Sequence, residues 1–359
     1  MNDFAERISM GNYLEDILSQ PKQLERLYKE YSAESILSNK LKRLSEYKWK
    51  NIVFTGMGSS HFCAVSAGIY LKEKGIDNQV ISTGELLYYE KGILNEETLL
   101  ILISQSGESA ETIKLLEELP DRTFVVGVTN ELGSTLAKKS SLVCPLFVDR
   151  EESVTTRTYL ASVCVCLWIA EAIAGEVCHN MTGKIKCGVE CLTNAISEVE
   201  RYKGDIEEFA KGCKVIAVMG RGYSIGSVLA GSLFLREVAK IPAMDFDEAE
   251  FKHGPLEMVE SGFKAVVFAP EGKGMQINAR MAESIVNKGG EVLLITDKNC
   301  EVLQDSRLKV IRLESAEEFL VTLFQIVPVQ ILADTIAQNR GICPGKFRWS
   351  SKVTSSEYE

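Results

Sequence analysis

Ser104, Ser106 and Ser109 fall within six consecutive residues, with Gln105, Gly107 and Glu108 between them. Three hydroxyl donors so close together suit a bound oxyanion, and Gly107 lets the backbone close around it. The residues on either side decide how such a loop is held. Before it, Leu99-Leu100-Ile101-Leu102-Ile103 is an unbroken apolar run with β-branched residues. It is too short for a membrane span and predicts a strand buried on both faces. After it, Ala110–Glu117 resumes with helical spacing. A strand entering a Ser-rich turn and then a helix presents main-chain N–H groups at the positive end of the helix dipole. This predicts a phosphate cradle that contains no lysine or arginine. The same residues also suit a plain helix N-cap that binds nothing. This stretch alone leaves both readings open.

A second turn of similar kind lies upstream. Asn51–Thr55 predicts a strand that feeds Gly56-Met57-Gly58-Ser59-Ser60, and His61–Lys74 has helical apolar spacing up to Gly75. Further strands are expected near Gln79–Ser82, Leu99–Ser104, Arg122–Val128 and Leu142–Phe147, with helical segments between them. Such alternation predicts a parallel sheet with helices on both faces, whose ligands bind beyond the carboxyl ends of the strands. Ahead of it, residues from about 10 to 48 read as helices. Tyr13, Leu14, Ile17 and Leu18 make one stripe and Leu24, Leu27, Tyr28 and Tyr31 another, with Pro21 expected to start the second helix.

The second half repeats the plan. Val215–Met219 followed by Gly220-Arg221-Gly222-Tyr223-Ser224 parallels the first strand and its turn. Ala265–Ala269, Gly290–Thr296 and Leu308–Leu313 parallel the later strands, so the chain reads as a tandem duplication joined through the helical stretch Ser153–Lys211. Where the first copy has its serines, the second has Pro270-Glu271-Gly272-Lys273-Gly274. One phosphate site per chain is expected.

The totals narrow the function classes. The 359 residues allow about two domains of ordinary size. A net charge of −10, with no basic stripe interleaved with aromatics, argues against nucleic acid and acidic membranes as partners. Met1–Glu6 lacks a basic segment followed by an apolar one, so no signal peptide is expected. The apolar stretch Ala161–Ala174 carries Glu171 and predicts a buried helix. Ten cysteines without CxxC pairs predict buried free thiols in a reducing cytoplasm, with Cys164 and Cys166 in that helix and Cys63, Cys144 and Cys213 beside strands. His61, His179 and His253 show no metal-site spacing, so neither metal nor cofactor is expected.

Six motifs occur in order: Gly56-Met57-Gly58-Ser59-Ser60, Ser104-Gln105-Ser106-Gly107-Glu108-Ser109, Ser153-Val154-Thr155-Thr156-Arg157-Thr158, Gly220-Arg221-Gly222, Leu235-Arg236-Glu237-Val238 and Glu250-Phe251-Lys252-His253-Gly254-Pro255. Together they resemble the tandem sugar-isomerase (SIS) domain family. The chain is similar to the isomerase half of glucosamine-6-phosphate synthases, and more so to free-standing aminosugar-phosphate deaminase/isomerases. Its tail, Gly341–Thr354, resembles the deaminase tail. The resemblance implies an α/β fold of two tandem flavodoxin-like αβα SIS domains with parallel five-stranded sheets. The expected divisions are 1–48 as N-terminal helices, 49–200 as the first domain, 201–340 as the second, and 341–359 as a tail entering the active site.

It also implies roles. Ser104, Gln105, Ser106 and Ser109 would hold the substrate phosphate, and Gly58, Ser59, Ser60 and the backbone at Val154 and Ser351 would line the sugar. Glu237 lies where the family places the base that moves a proton between C1 and C2. His253 matches the ring-opening histidine, supplied in the synthase by the partner subunit of a homodimer, and Lys352 matches the active-site lysine of the tail. Each has a plainer reading: Glu237 as a helix-end carboxylate paired with Lys240, His253 as a turn residue, Lys352 as a solvated tail lysine. His61 is not assigned to the site.

Two departures stand out. Phe234 occupies the place of a lysine that the synthases carry three residues before the base, and the chain begins Met1-Asn2 where a glutaminase domain would begin with a cysteine after Met. The implied activity is a cytoplasmic phosphosugar deaminase/isomerase acting on an amino-hexose 6-phosphate without a glutaminase domain. The alternatives are a fructosamine-6-phosphate deglycase, a simple aldose–ketose isomerase, or a non-catalytic sugar-phosphate sensor.

Overall fold

A computed structural model describes residues 13–32, 35–151, 153–176, 178–349, 351–354 and 356. Met1–Glu6, Ser350 and the side chain of His179 lie outside the described residues. The chain divides into two compact units. One, the cradle unit, comprises Lys22–Glu151, Thr155–Lys186 and Phe347–Glu359; the second comprises Met1–Pro21, Glu152–Val154 and Cys187–Lys346.

Helix α1 (Tyr13–Glu30) comes first. Pro21 does not start a second helix as expected, because α1 runs through it. A proline cannot donate to the carbonyl four residues earlier. Here that carbonyl, of Ile17, accepts the Gln20 Nε2 amide at 3.0 Å, which replaces the missing bond. Tyr13, Ile17, Leu24, Leu27 and Tyr31 are buried, whereas Leu14 and Leu18 are exposed.

The cradle unit holds β1 (Asn51–Gly56), α2 (Ser59–Phe62), α3 (Val65–Glu73), β2 (Gln79–Ser82), β3 (Thr98–Ile103), α4 (Ala110–Glu117), β4 (Phe124–Thr129), α5 (Thr135–Lys139), β5 (Leu142–Pro145) and α6 (Arg157–Ile173). The strands form one parallel sheet in the order β2-β1-β3-β4-β5. Central β3 is buried at all six positions, as its unbroken apolar run requires. The predicted helix His61–Lys74 is in fact α2 and α3, with a break at Cys63 and Ala64. The apolar stretch around Ala161–Ala174 belongs to α6, every residue of which is buried. Helices α7 (Cys178–Ser197) and α8 (Val199–Ala210) complete the predicted helical connection.

In the second unit, β6 (Ile216–Gly220), α9 (Ile225–Glu237), β7 (Ala243–Asp247), β8 (Lys264–Ala269), α10 (Met275–Asn287), β9 (Glu291–Asp297), β10 (Leu308–Leu313) and α11 (Val327–Asn339) repeat the plan. Its parallel sheet runs β10-β9-β8-β6-β7. The two five-stranded sheets are those of a tandem α/β duplication. Strand β7 was not expected from the sequence. It is an edge strand, and its Ala243-Met244-Asp245-Phe246-Asp247 is buried only at Ala243. Glu318–Asn339 is long and apolar enough to cross a membrane, but its apolar 18-residue stretch is 94% buried inside the fold, which makes it core. The nine described cysteines are free, and all but Cys187 and Cys343 are buried. Burial pushes the Cys144 thiol up to about 12.

Candidate active site

In the cradle unit the chain leaves β1 and proceeds to one side of the sheet, and leaves β3 and proceeds to the other. The carboxyl end between two such strands is the crevice where open α/β sheets bind ligands. Gly56 and Ile103 are partners in the β1–β3 register, so the two Gly/Ser turns start at one level. They are also closely packed. A Cβ on Gly56 would lie 2.6 Å from the Ser60 main chain and 2.9 Å from the Ile103 carbonyl, so only glycine fits there.

The Ser104–Ser109 loop holds itself in a fixed shape. Gly107 N–H donates to Ser104 Oγ at 3.1 Å, and Glu108 N–H donates to Ser106 Oγ at 3.2 Å. The Gln105 carbonyl accepts from Thr129 Oγ1 at 3.1 Å and from Asn130 N–H at 3.0 Å, which straps the loop to the end of β4. The Glu108 carboxylate accepts from Thr135 N–H at 2.6 Å and Thr135 Oγ1 at 3.0 Å, at the start of α5. Gly107 has φ 64°, and a Cβ there would stand 2.3 Å from Ser134 Oγ. Ser109 precedes α4, yet its hydroxyl meets Thr112 Oγ1 at 2.7 Å and makes no side-chain cap to a main-chain N–H. The plain N-cap bond is therefore not formed. The sequence pattern suggested uncommitted main-chain donors, but those of Gly107 and Glu108 serve the loop and that of Ala110 donates to the Thr354 carbonyl at 3.0 Å.

Gly58 caps α2, in which Ser59 and Ser60 are half-buried. On the same helix, burial lowers the pKa of His61, an effect opposed by the Val80 carbonyl 3.5 Å from Nε2. Ser351 is exposed, its hydroxyl donating to the Val353 carbonyl at 2.6 Å.

The tail brings Lys352 Nζ to 3.7 Å from Glu151 Oε2. Glu151 has a fully buried side chain, and its Oε1 accepts from Thr156 N–H, Thr156 Oγ1, Arg157 N–H and Thr158 N–H at 2.5–3.3 Å. Thr158 Oγ1 donates to Oε2. A carboxylate so placed satisfies the donors at the start of α6 and faces the positive end of its dipole. Sequence reasoning missed both Glu151 and Glu108. The available signal was an acid just ahead of a Thr/Ser-rich helix start.

The second unit places Val154, Glu237 and His253. Val154 is buried. Glu237 ends α9 and is half-buried, and the Lys240 ammonium donates to its main-chain carbonyl. His253 is exposed, its main-chain N–H donating to the Glu250 carbonyl at 3.0 Å. At the second copy's counterpart of the first Gly/Ser turn, buried Glu248 takes Arg221 and Lys252 at 2.7 Å each. Ion pairs thus occur at that end of the second sheet. Among the described residues, no group of three or more His, Cys, Asp or Glu side chains could hold a metal ion.

The model of one protein family, the SIS domain, matches residues 47–171 and 211–336. A glutamine–fructose-6-phosphate aminotransferase (isomerizing) of Methanothermobacter thermautotrophicus is 27% identical over 315 residues, 86% of this chain and 52% of that protein. The chain thus spans about half the length of this curated relative. Among solved structures, the C-terminal domain of glucosamine-fructose-6-phosphate aminotransferase from Francisella tularensis aligns with a TM-score of 0.83 at 21% identity, covering 92% of this chain and 97% of that one. Glucosamine-6-phosphate deaminase from Thermotoga maritima aligns with a TM-score of 0.71 at 21% identity, covering 95% and 99%.

Proposed function

The chain belongs to the SIS domain family, and from that premise we propose that it is a phosphosugar deaminase/isomerase acting on an amino-hexose 6-phosphate. The representative reaction takes glucosamine 6-phosphate and water to fructose 6-phosphate and ammonia. The observation that carries this reading is the self-braced Ser104–Ser109 loop at the β1/β3 crevice, with hydroxyls in place of a plain N-cap. Gly58, Ser59, Ser60 and the Val154 and Ser351 backbone are assigned to the sugar.

The chemistry divides among three residues. His253 protonates the ring oxygen and takes the anomeric hydroxyl proton, giving the open-chain aldehyde, a task suited to an imidazole. Glu237 removes the C2 proton and returns it to C1, with the C2 amine becoming an imine. Lys352 steadies the negative charge on O1 in between, and its 3.7 Å approach to buried Glu151 gives the ammonium a fixed anchor. Water then adds to C2 of the imine and ammonia leaves. Binding the phosphate at the far end orients the reacting carbons.

We assign the working state to a homodimer in which His253 serves the partner's site. The exposure of His253 on its own chain supports this. A mixture of Glu237→Gln and His253→Asn chains then regains activity that neither has alone, about a quarter of wild type if subunits exchange at random. If the mixture stays inactive while subunits demonstrably exchange, the sharing is wrong.

The deciding experiment is a panel without glutamine: glucosamine 6-phosphate, galactosamine 6-phosphate, a fructosamine-6-phosphate amino-acid conjugate, and fructose 6-phosphate alone. Ammonia with a ketose phosphate establishes the deaminase. Free amino acid with an aldose phosphate makes the protein a deglycase, and aldose–ketose exchange without ammonia makes it an isomerase. No turnover, with phosphosugar binding intact by calorimetry, leaves a sensor.

A further inference from the structure

Glu237 occupies an awkward place for a carboxylate. It is the last residue of α9, at the negative end of the helix dipole, where an anion is disfavoured. Other acids lie near. Burial, then the charges of Asp334, Glu237 and Asp16, raise the Tyr13 phenol well above its ordinary range, which places these carboxylates around one buried ring. Asp334 lies on α11 and Asp16 on α1, while β7 contributes Asp245, which takes Arg236 Nη1 at 3.1 Å. Strand β6, also packed on α9, carries no titratable side chain. At the other end of the helix, Tyr223 is the nearest titratable residue of the preceding turn.

Lys240 acts against this arrangement. Its ammonium donates to the Glu237 main-chain carbonyl, one of the acceptors that a helix end leaves unsatisfied. Lys240 adopts φ 55°, a left-handed conformation that it shares with only Arg122 and Phe147 among the described non-glycine residues. Glycine would take that backbone without strain. The lysine costs more in backbone terms, but it delivers a cation to the end of the helix that bears Glu237.

We infer that Lys240 is a positioning residue for Glu237: its ammonium fixes the main chain at the base and holds the Glu237 carboxyl ionised against the helix dipole and the surrounding acids. The inference rests on the assignment of Glu237 as the base. A cation held on the main-chain carbonyl of the same residue favours the ionised carboxylate, and its removal raises the carboxyl pKa.

The test reads the carboxyl directly. The Glu237 side-chain carbon is titrated by 13C NMR in the full-length protein, assigned by its loss in Glu237→Gln, in wild type and in Lys240→Met, Lys240→Gly and Lys240→Arg. Met and Gly are expected to move the midpoint upward by about one pH unit, and Arg to restore it. Lys240→Gly separates charge from backbone: it should melt at or above the wild-type temperature while showing the same upward shift as Met. With substrate, Met and Gly should move the acid limb of kcat upward by the same interval, so that kcat falls by up to about tenfold below that limb while KM stays within about twofold. An unmoved Glu237 midpoint in Met and Gly overturns the inference. A Glu237→Gln chain that turns over normally overturns the base assignment and the inference with it. A dead Glu237→Gln chain beside an unshifted Lys240→Met profile overturns this inference alone.

Discussion

Glu237 is a single carboxylate given a single task, so its amide variant is the sharpest probe of the proposal. Glu237→Gln keeps size and hydrogen bonding but cannot take a proton, and kcat should fall at least ~10²-fold. Steady-state ketose formation checks it. Gly107 tests the cradle instead of the chemistry. Gly107→Ala combines φ 64° with a Cβ 2.3 Å from Ser134 Oγ, and should cost roughly 1–3 kcal/mol. Because that strain falls on the loop, phosphosugar affinity measured by calorimetry should drop more than tenfold. Unchanged affinity would remove the loop from the site. At this scale the sequence revealed the hydroxyls but not their partners. That Ser104 and Ser106 accept from Gly107 and Glu108 depends on loop geometry. That Glu108 reaches Thr135 depends on a contact 27 residues away, which no local pattern contains.

Elements were legible where periodicity and burial agree. The β3 run, the helix α6 and the two glycine-led turns each declare themselves, because a strand covered on both faces has nowhere to place a charge. Strand β7 was missed for the converse reason: Asp245 and Asp247 sit on a half-exposed edge strand, where apolar alternation is weak. Pro21 misled because the local rule against proline inside a helix omits the Gln20 amide that repairs it. Helix α6 yields the prediction of this scale. Glu151 satisfies donors from Thr156, Arg157 and Thr158 while wholly buried, so Glu151→Ala leaves several of them unpaired without access to water. A loss of about 3–5 kcal/mol is expected in chemical denaturation. A loss under ~1 kcal/mol would show that the start of α6 finds other acceptors.

For the whole chain, stability should depend on pH through Glu171. This residue of α6 is fully buried. Burial pushes its pKa from 4.5 up to about 7, against the opposing pull of the Met181 main-chain N–H. Its folded pKa is thus raised, so the folded chain keeps a proton that the unfolded chain releases. The contribution is complete below pH 4.5 and is lost as pH rises through 7. Glu171→Gln should flatten that slope and stabilise the protein by roughly 1–3 kcal/mol at pH 8, with little change at pH 4.5. Melting curves across that range decide it. A variant no more stable than wild type at pH 8 would mean that the buried acid is already compensated. The tandem plan was plain in the sequence because both halves spend their apolar residues in the same order. The difference between the copies was visible in the sequence as well, since Pro270-Glu271-Gly272-Lys273-Gly274 stands where the first copy has its serines.

The bond from Ala110 N–H to the Thr354 carbonyl makes one amide a clock for the end of the chain. An amide at the first position of a helix has no acceptor within that helix, so its protection from deuterium depends on what covers it. While the tail is docked, Ala110 should exchange slowly; each time the tail lifts, it exchanges at the rate of a bare peptide. In a chain cut after Ser351, Ala110 should lose its label at once, while amides deeper in α4 keep their pace. That single peak would time the opening of the tail without substrate, dye or mutation at the cradle.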